Sequence, residues 1–226
     1  AMHVAYANRG MQFEIQLGDK VASLHTTTVG DYNVSNLTGV IACLCALGQR
    51  LDDAVKACQA LPPVPGRMEL LGVVGEPLVI VDFAHTPDAI EKALRAIQPL
   101  AALRGGDIIC VLGCGGNRDK AKRPLMAAVA ETYAQQIVLT SDNPRLEDPE
   151  AILHDMRVGL KAPQSARVVV DRAQAIAEAV QHAQQNDLVL IAGKGHETYQ
   201  EINDVKYPFS DQLHAQQAIR NRSMHV

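Results

Sequence analysis

Leu78-Val-Ile-Val-Asp82, then Phe83-Ala-His85-Thr86-Pro87-Asp88, then an apolar stripe at Ile90, Leu94 and Ile97, is the stretch on which the fold turns. A short apolar run without alternation reads as a strand covered on both faces. Thr86 can accept a hydrogen bond from the first turn of a helix. Pro87 at the first helical position lacks an N–H that would have no partner there anyway. Residues 107–112 form a second apolar strand. The same unit then recurs. Leu125, Met126, Val129 and Tyr133 mark a helix, and 137–140 a strand. Asp148-Pro149-Glu150 opens a helix, and 168–170 is a strand. Asp171 caps a helix carrying Ile176 and Val180, 188–192 is a strand, and Ser210 with Asp211 opens a last helix. Short apolar strands between amphipathic helices predict an α/β, Rossmann-like fold, a mainly parallel sheet with helices on both faces.

Upstream the period changes. Met11-Gln-Phe-Glu-Ile-Gln-Leu17 alternates apolar and polar, residues 20–28 form a more β-branched run, and Gly18-Asp19 suits the turn between them. Leu37, Ile41, Leu44 and Leu47 recur at helical spacing, and a short helix follows from Leu51 to about Leu61. Pro62-Pro-Val-Pro-Gly66 stops it, because proline lacks the donor a helix needs. The expected boundary is there, with one part at 1–65 and the other at 66–226. Ile15, Leu17 and Val21 are expected to be left uncovered in the first part, which would make it the less stable one.

The composition narrows the function. The 226 residues include 21 Lys and Arg against 25 Asp and Glu, a net charge of −4, with no Trp and 4% aromatics. That disfavours a nucleic-acid partner and stacking platforms. Cys43, Cys45, Cys58, Cys110 and Cys114 are odd in number and none are spaced C-x-x-C, so reduced thiols are expected. Neither a signal peptide nor a membrane span is legible, and a cytoplasmic location without a membrane partner is expected.

Ligands of open α/β sheets bind beyond the carboxyl ends of the strands. The residues following these strands are Asp82 to Asp88, Gly113-Cys-Gly-Gly-Asn117-Arg118-Asp119-Lys120, Ser141-Asp142-Asn143-Pro144-Arg145 and Gly193-Lys194-Gly195-His196-Glu197. Each has a purely structural reading as a turn or helix start, but their common location points to one shared site. Two motifs fail. Arg118 stands where a dinucleotide fingerprint needs its third Gly, and Gly195 stands where a Walker A loop needs Ser or Thr. Arg118 and Arg145 suit carboxylates or phosphates, whereas Asp142 and Glu197 suit an ammonium. A free amino acid carries both kinds of group. The alternative is that these arginines and carboxylates pair with each other and no ligand.

These motifs together resemble the Mur ligases of peptidoglycan synthesis, most of all the type that adds meso-diaminopimelate to UDP-N-acetylmuramoyl-L-alanyl-D-glutamate. The resemblance covers almost the whole chain. It rests on Asp31-Tyr-Asn-Val-Ser-Asn36, Gly66-Arg-Met-Glu69, Asp82-Phe-Ala-His-Thr-Pro-Asp88, Gly113 to Lys120, Asp142-Asn-Pro-Arg145 and Gly193-Lys-Gly-His-Glu197. Phe83 replaces the family's Tyr. The resemblance implies that Arg118, Asp142, Asn143, Pro144, Arg145, Gly193 and Glu197 bind diaminopimelate, with Arg145 reading the carboxylate that lysine lacks. It further implies that Asn36 approaches adenine of ATP, Asp82 the ribose, and Arg67 and His85 the phosphates.

The family's phosphate loop, Mg2+ ligands and carbamylated lysine are not among these residues. The resemblance therefore implies a piece of such a ligase, a remnant of the central ATPase domain at 1–65 and the amino-acid-binding domain at 66–226. No catalytic residue or metal site is expected within it, and it is expected to be inactive alone. ATP, Mg2+ and the UDP-MurNAc dipeptide belong to the parent enzyme, which is expected to be monomeric. The other readings are a cyanophycin- or folylpolyglutamate-synthetase type of ligase and a stand-alone amino-acid-binding module.

Overall fold

The computed structural model describes residues 1–7, 9–72 and 75–224. The chain divides into two compact units, Ala1–Val64 and Pro65–Val226.

In the first unit, β1 (Met2–Ala7), β2 (Gly10–Leu17) and β3 (Lys20–Thr26) form an antiparallel sheet in that order. Leu17 pairs with Lys20 across the two-residue turn Gly18-Asp19. The period-two pattern sends Met11, Phe13 and Ile15 to one face, where they pack with Leu24 against α1 (Asp31–Ala46) and α2 (Leu51–Gln59). Ile15 is thus buried, contrary to expectation, while Leu17 and Val21 are exposed. Val34 and Ile41 carry the buried stripe of α1. Leu47 does not extend it. It follows the last helical residue as the C-cap and stands 81% exposed. β1 was not legible, because most of its side chains are exposed and leave no apolar pattern.

The second unit is built on β4 (Glu69–Leu71), β5 (Leu78–Asp82), β6 (Ile108–Leu112), β7 (Gln136–Leu139), β8 (Arg167–Val168) and β9 (Leu188–Ala192). Their order is β4-β5-β9-β6-β7-β8. Only the edge strand β4 runs antiparallel. The helices are α3 (Pro87–Arg104), α4 (Lys122–Tyr133), α5 (Pro149–Arg157), α6 (Arg172–His182) and α7 (Asp211–Ser223), and β10 (Tyr199–Ile202) and β11 (Val205–Pro208) make a separate hairpin before α7. One sheet face, with Val79, Val111, Val189 and Ile191, packs on α6 and α7 through Ile176, Val180 and Ala218. Alternation sends Ile80, Cys110 and Leu190 to the other face, and α3 lies against β9. No helix among the described residues is long and apolar enough to cross a membrane.

Local chemistry starts the helices. The Thr86 hydroxyl accepts from Ala89 N at 3.2 Å, Asp148 from Glu150 N at 3.0 Å and Asp171 from Gln174 N at 2.8 Å. Each such cap contributes about 1 kcal/mol. In α4 the expected stripe is out of phase. Met126 is buried as expected, but Leu125 is 55% exposed, Val129 and Tyr133 are only half-buried, and Arg123, Ala127 and Ala130 face inward. The inward Arg123 is the reason a purely apolar count misplaces the face. Asp82, Ala192 and Leu112 pair across the sheet, Leu112 pairs with Leu139, and Leu139 with Val168. The carboxyl ends of five strands therefore finish level, and their following loops share one edge.

Candidate functional site

A cleft of about 460 Å³ opens at that edge. The loop after β5 contributes Phe83 and His85, and the loop after β6 contributes Gly113 and Arg118. Asp142, Asn143 and Arg145 follow β7, and Gly193 and Glu197 follow β9. Four loops that are up to about a hundred residues apart in sequence meet because the strands end in register.

The floor is a polar network. Lys194, fully buried, donates from Nζ to Asn143 Oδ1 at 2.9 Å and to Glu197 Oε2 at 2.9 Å, and lies 3.8 Å from Asp142 Oδ1. Asn143 Nδ2 donates to the same Glu197 oxygen at 2.9 Å. Its Oδ1 also accepts from Glu201 N at 2.9 Å, which ties the floor to β10. Burial raises the Glu197 pKa, but the hydrogen bonds from Lys194 and Asn143 and the charges of Lys194 and Arg145 outweigh it, so the net shift is downward. Gly193 takes φ +121°, and a Cβ there would stand 2.5 Å from Asp142 Oδ2. Only glycine lets these two loops approach so closely.

Beneath the floor lies a fully buried ion pair. Arg172 grips Asp211 through Nε at 2.8 Å and Nη2 at 2.7 Å. Its Nη2 also donates to Ala192 O at 3.0 Å, at the end of β9.

Arg145 is held in place by contacts within the chain. Its backbone is left-handed, at φ 52°. Its N–H donates to Glu201 O at 3.0 Å and its carbonyl accepts from Asn203 N at 2.8 Å, so the β10–β11 hairpin clamps it on both sides. Nε lies 3.3 Å from Glu201 Oε2, and Nη1 donates to Gly116 O at 2.9 Å. Such a conformation costs a non-glycine residue roughly 1–3 kcal/mol and persists only where its surroundings enforce it. The Arg118 and Lys122 side chains also line the cleft, and neither makes a hydrogen bond or ion pair among the described residues.

Glu147 joins the loops after β6 and β7. It accepts from Arg123 at 2.9 Å, from the Asn117 amide and from Lys120 at 3.1 Å. The Arg123 hydrogen bond, then that of Asn117 N, draws its pKa down to about 2. Gly116 packs so tightly on the Pro144 carbonyl that a Cβ would overlap it.

Arg118, Asp142, Asn143, Arg145, Gly193, Glu197 and His85 thus converge on one cleft. Pro144 is buried behind it. Asp82 is also buried, its carboxylate accepting from Met68 N and Ala84 N, both at 2.8 Å, and burial raises its pKa despite these bonds. Arg67 lies 4.6 Å over the Phe83 ring, and His85 Nδ1 donates to Phe83 O at 2.6 Å. Asn36 belongs to the first unit, exposed on α1 with Nδ2 3.4 Å from Asn33 Oδ1. Internal pairing does occur, but with partners the motifs did not suggest. Lys194 meets Glu197 and Asp142, and Glu201 meets Arg145. Lys194 and Lys122 were both missed. The Gly-Lys-Gly sequence was the available signal for Lys194, since a lysine between two glycines next to a buried strand has little side-chain cover from its neighbours.

The family model described as "Mur ligase, glutamate ligase domain" matches residues 66–195. A UDP-N-acetylmuramoyl-L-alanyl-D-glutamate--2,6-diaminopimelate ligase of Acidovorax sp. (strain JS42) is 53% identical over 98% of this chain and 44% of its own length. The protein of the same name from Ralstonia nicotianae is 47% identical over 100% of this chain and again 44% of its own length. A solved structure of a ligase of that name superimposes with a TM-score of 0.76 at 36% identity, covering 100% of this chain and 45% of the other. The chain therefore spans less than half the length of these relatives. With the level strand ends, the four-loop cleft and a family match over more than half its residues, the chain belongs to the Mur ligase family.

Proposed function

We propose that residues 66–226 form the amino-acid-binding domain of an ATP-dependent amide ligase that adds meso-diaminopimelate to UDP-MurNAc-L-Ala-D-Glu in the cytoplasm. Residues 1–65 are then the end of its central ATPase domain. The observation that carries this reading is the cleft, which sets Arg118 and Arg145 against Asp142 and Glu197. A zwitterionic amino acid offers carboxylate and ammonium to such a mixture. The relatives are named for diaminopimelate, which supplies the particular substrate.

In this reading the dipeptide carboxylate takes the γ-phosphoryl group of ATP as ADP leaves, and the diaminopimelate amine then attacks the acyl carbon, losing a proton and expelling inorganic phosphate to leave an amide. This chain's part is to bind and orient the amine. Arg145 is pre-positioned by Glu201 and the hairpin to meet the carboxylate that distinguishes diaminopimelate from lysine, and Arg118 is free to meet the other. The exposed Arg67 and His85 flank Phe83 and suit phosphate oxygens. Asp82 would face the ribose and Asn36 the adenine. Among the described residues no three His, Cys, Asp or Glu side chains converge on a metal position. The residues here do not fit Mg2+, and no step is assigned to it.

Calorimetric titration of the chain with meso-diaminopimelate and with lysine tests the proposal. Diaminopimelate should bind, and lysine more weakly. Arg145→Ala should weaken diaminopimelate by at least ~10-fold, the factor for about 1.4 kcal/mol, and leave lysine nearly unchanged. Unchanged selectivity in that variant would transfer the discriminating role to Arg118. No diaminopimelate binding by the unsubstituted chain would sink the substrate assignment.

A further inference from the structure

A lysine ammonium removed from water must be neutralised and hydrogen-bonded, or it gives up its proton. Lys194 has no exposure at all, yet it does not sit in an apolar pocket. Its ammonium meets one oxygen each of Asn143 and Glu197, with Asp142 beside them, and it lies 5.7 Å from the Tyr199 ring centroid. Asn143 and Asp142 come from the loop after β7, and Glu197 from the loop after β9. The same ammonium thus bridges two walls of the cleft. Arg172 is balanced by Asp211, and Arg145 by Glu201. Two carboxylates, Asp142 and Glu197, then share one cation, Lys194.

We propose that Lys194 is a positioning residue. It is a built-in ammonium that locks the Asn143 and Glu197 side chains to each other, leaving Asp142 and Glu197 with a single uncompensated negative charge for one ammonium of the ligand. Lys194 and Asn143 both occupy Glu197 Oε2, so Oε1 remains for the cleft. Gly193 keeps Asp142 Oδ2 close to the Glu197 loop. Without Lys194 the two carboxylates would repel each other and Asn143 Oδ1 would lose a donor. This role rests on the amino-acid reading of the cleft but names a residue that reading does not contain.

Glu197 is faced by Lys194, Arg145 and Arg172, by the Asp142 carboxylate, and across the cleft by His85, Arg118, Asp119 and Lys122. Of these, Lys194 makes the ion pair, at 2.9 Å. Lys194→Met keeps the length and removes the charge. Its affinity for meso-diaminopimelate should fall at least about 10-fold near neutral pH. It should also begin to lose affinity at a higher pH than the unsubstituted chain as the solution is acidified, because Glu197 would no longer be held below the ordinary glutamate range by the Lys194 ammonium. Lys194→Arg, which keeps the charge, should recover part of the affinity and shift the acid limb back toward that of the unsubstituted chain. Equal or tighter binding by Lys194→Met would show that Lys194 competes with the ligand. A uniform weakening with no new pH dependence would reduce it to packing. Either result overturns the proposal.

Two measurements on the unsubstituted chain need no variant to fold. Lys194 should resist reductive methylation by formaldehyde under conditions that methylate Lys122. The Glu197 carboxyl, followed by carbon NMR, should titrate below ordinary glutamate. Methylation of Lys194 at the rate of Lys122, or an ordinary Glu197 titration, would also overturn the proposal. If both hold and diaminopimelate gives no heat, the substrate reading alone fails and the Lys194 network stands.

Discussion

Cys114 borders the cleft with 7% of its surface exposed, and burial, then the Asp142 charge, pushes its thiol up to about 12 despite nearby Arg123. A thiol is nucleophilic only as thiolate. At pH 8 about 1 in 10,000 such groups is ionised, since each pH unit below the pKa is tenfold. Cys110, fully buried, is likewise raised to about 12. Iodoacetamide at pH 8 should therefore label the exposed Cys43 and spare Cys110 and Cys114, until denaturant levels all five. Rapid labelling of Cys114 in the folded chain would show a more open cleft than the one described. At this scale most of the polar side chains that line the cleft were legible in the sequence, because loops after apolar strands can be read directly. It did not reveal that Lys194 turns inward, since no periodicity governs the direction of a loop side chain.

At the scale of elements, α6 and α7 are joined through their first residues, Arg172 and Asp211. Burial alone would lower the Arg172 pKa, but Asp211 raises it further, so the guanidinium stays charged. Arg172→Met would leave Asp211 buried and uncompensated, at a cost of roughly 3–5 kcal/mol. Arg172→Met combined with Asp211→Leu should recover much of that loss, because no lone charge remains. Urea unfolding of the two variants measures the difference. Equal destabilisation in both would mean that the carbonyls of Ala192 and Ser141, rather than Asp211, are the partners that matter. The caps of α3, α5, α6 and α7 were all readable in advance, since a cap depends on residues within a single turn. The β10–β11 hairpin was not. Its residues are exposed or half-buried, so the alternation that would mark it is missing, although it clamps Arg145.

At the scale of the molecule, acid should weaken the second unit. Glu147 titrates near 2 in the folded chain against 4.5 for an ordinary glutamate. A depressed carboxylate contributes stability above its unfolded pKa, and that contribution disappears as pH falls through the folded one. The window for Glu147 therefore runs from 4.5 down to about 2. Glu197 and Glu131 shift in the same direction. Asp82 is raised and opposes them, because its protonated form suits burial. Urea midpoints should drop across that window, and Glu147→Gln should flatten the drop. An unchanged slope in Glu147→Gln would remove Glu147 as the hub between the two loops. Whole-chain turnover is a separate test. With no phosphate loop among its residues, the purified chain should release no phosphate from ATP when all three substrates are supplied.

By itself the sequence determined the α/β class, the strands β5 and β9 to the residue, the capped starts of α3, α5, α6 and α7, and the four loops that carry charge. These follow from hydrophobic period and capping chemistry, which act over a few residues. Only the tertiary structure decided that β9 inserts between β5 and β6, that β4 runs antiparallel at the edge, and which charges meet. Strand order depends on which apolar faces pack best across the whole sheet, and short apolar strands are nearly interchangeable in composition. The same holds for Lys194. A buried cation is stabilised by partners that the chain brings together from positions some fifty residues apart, and that proximity is created by the fold.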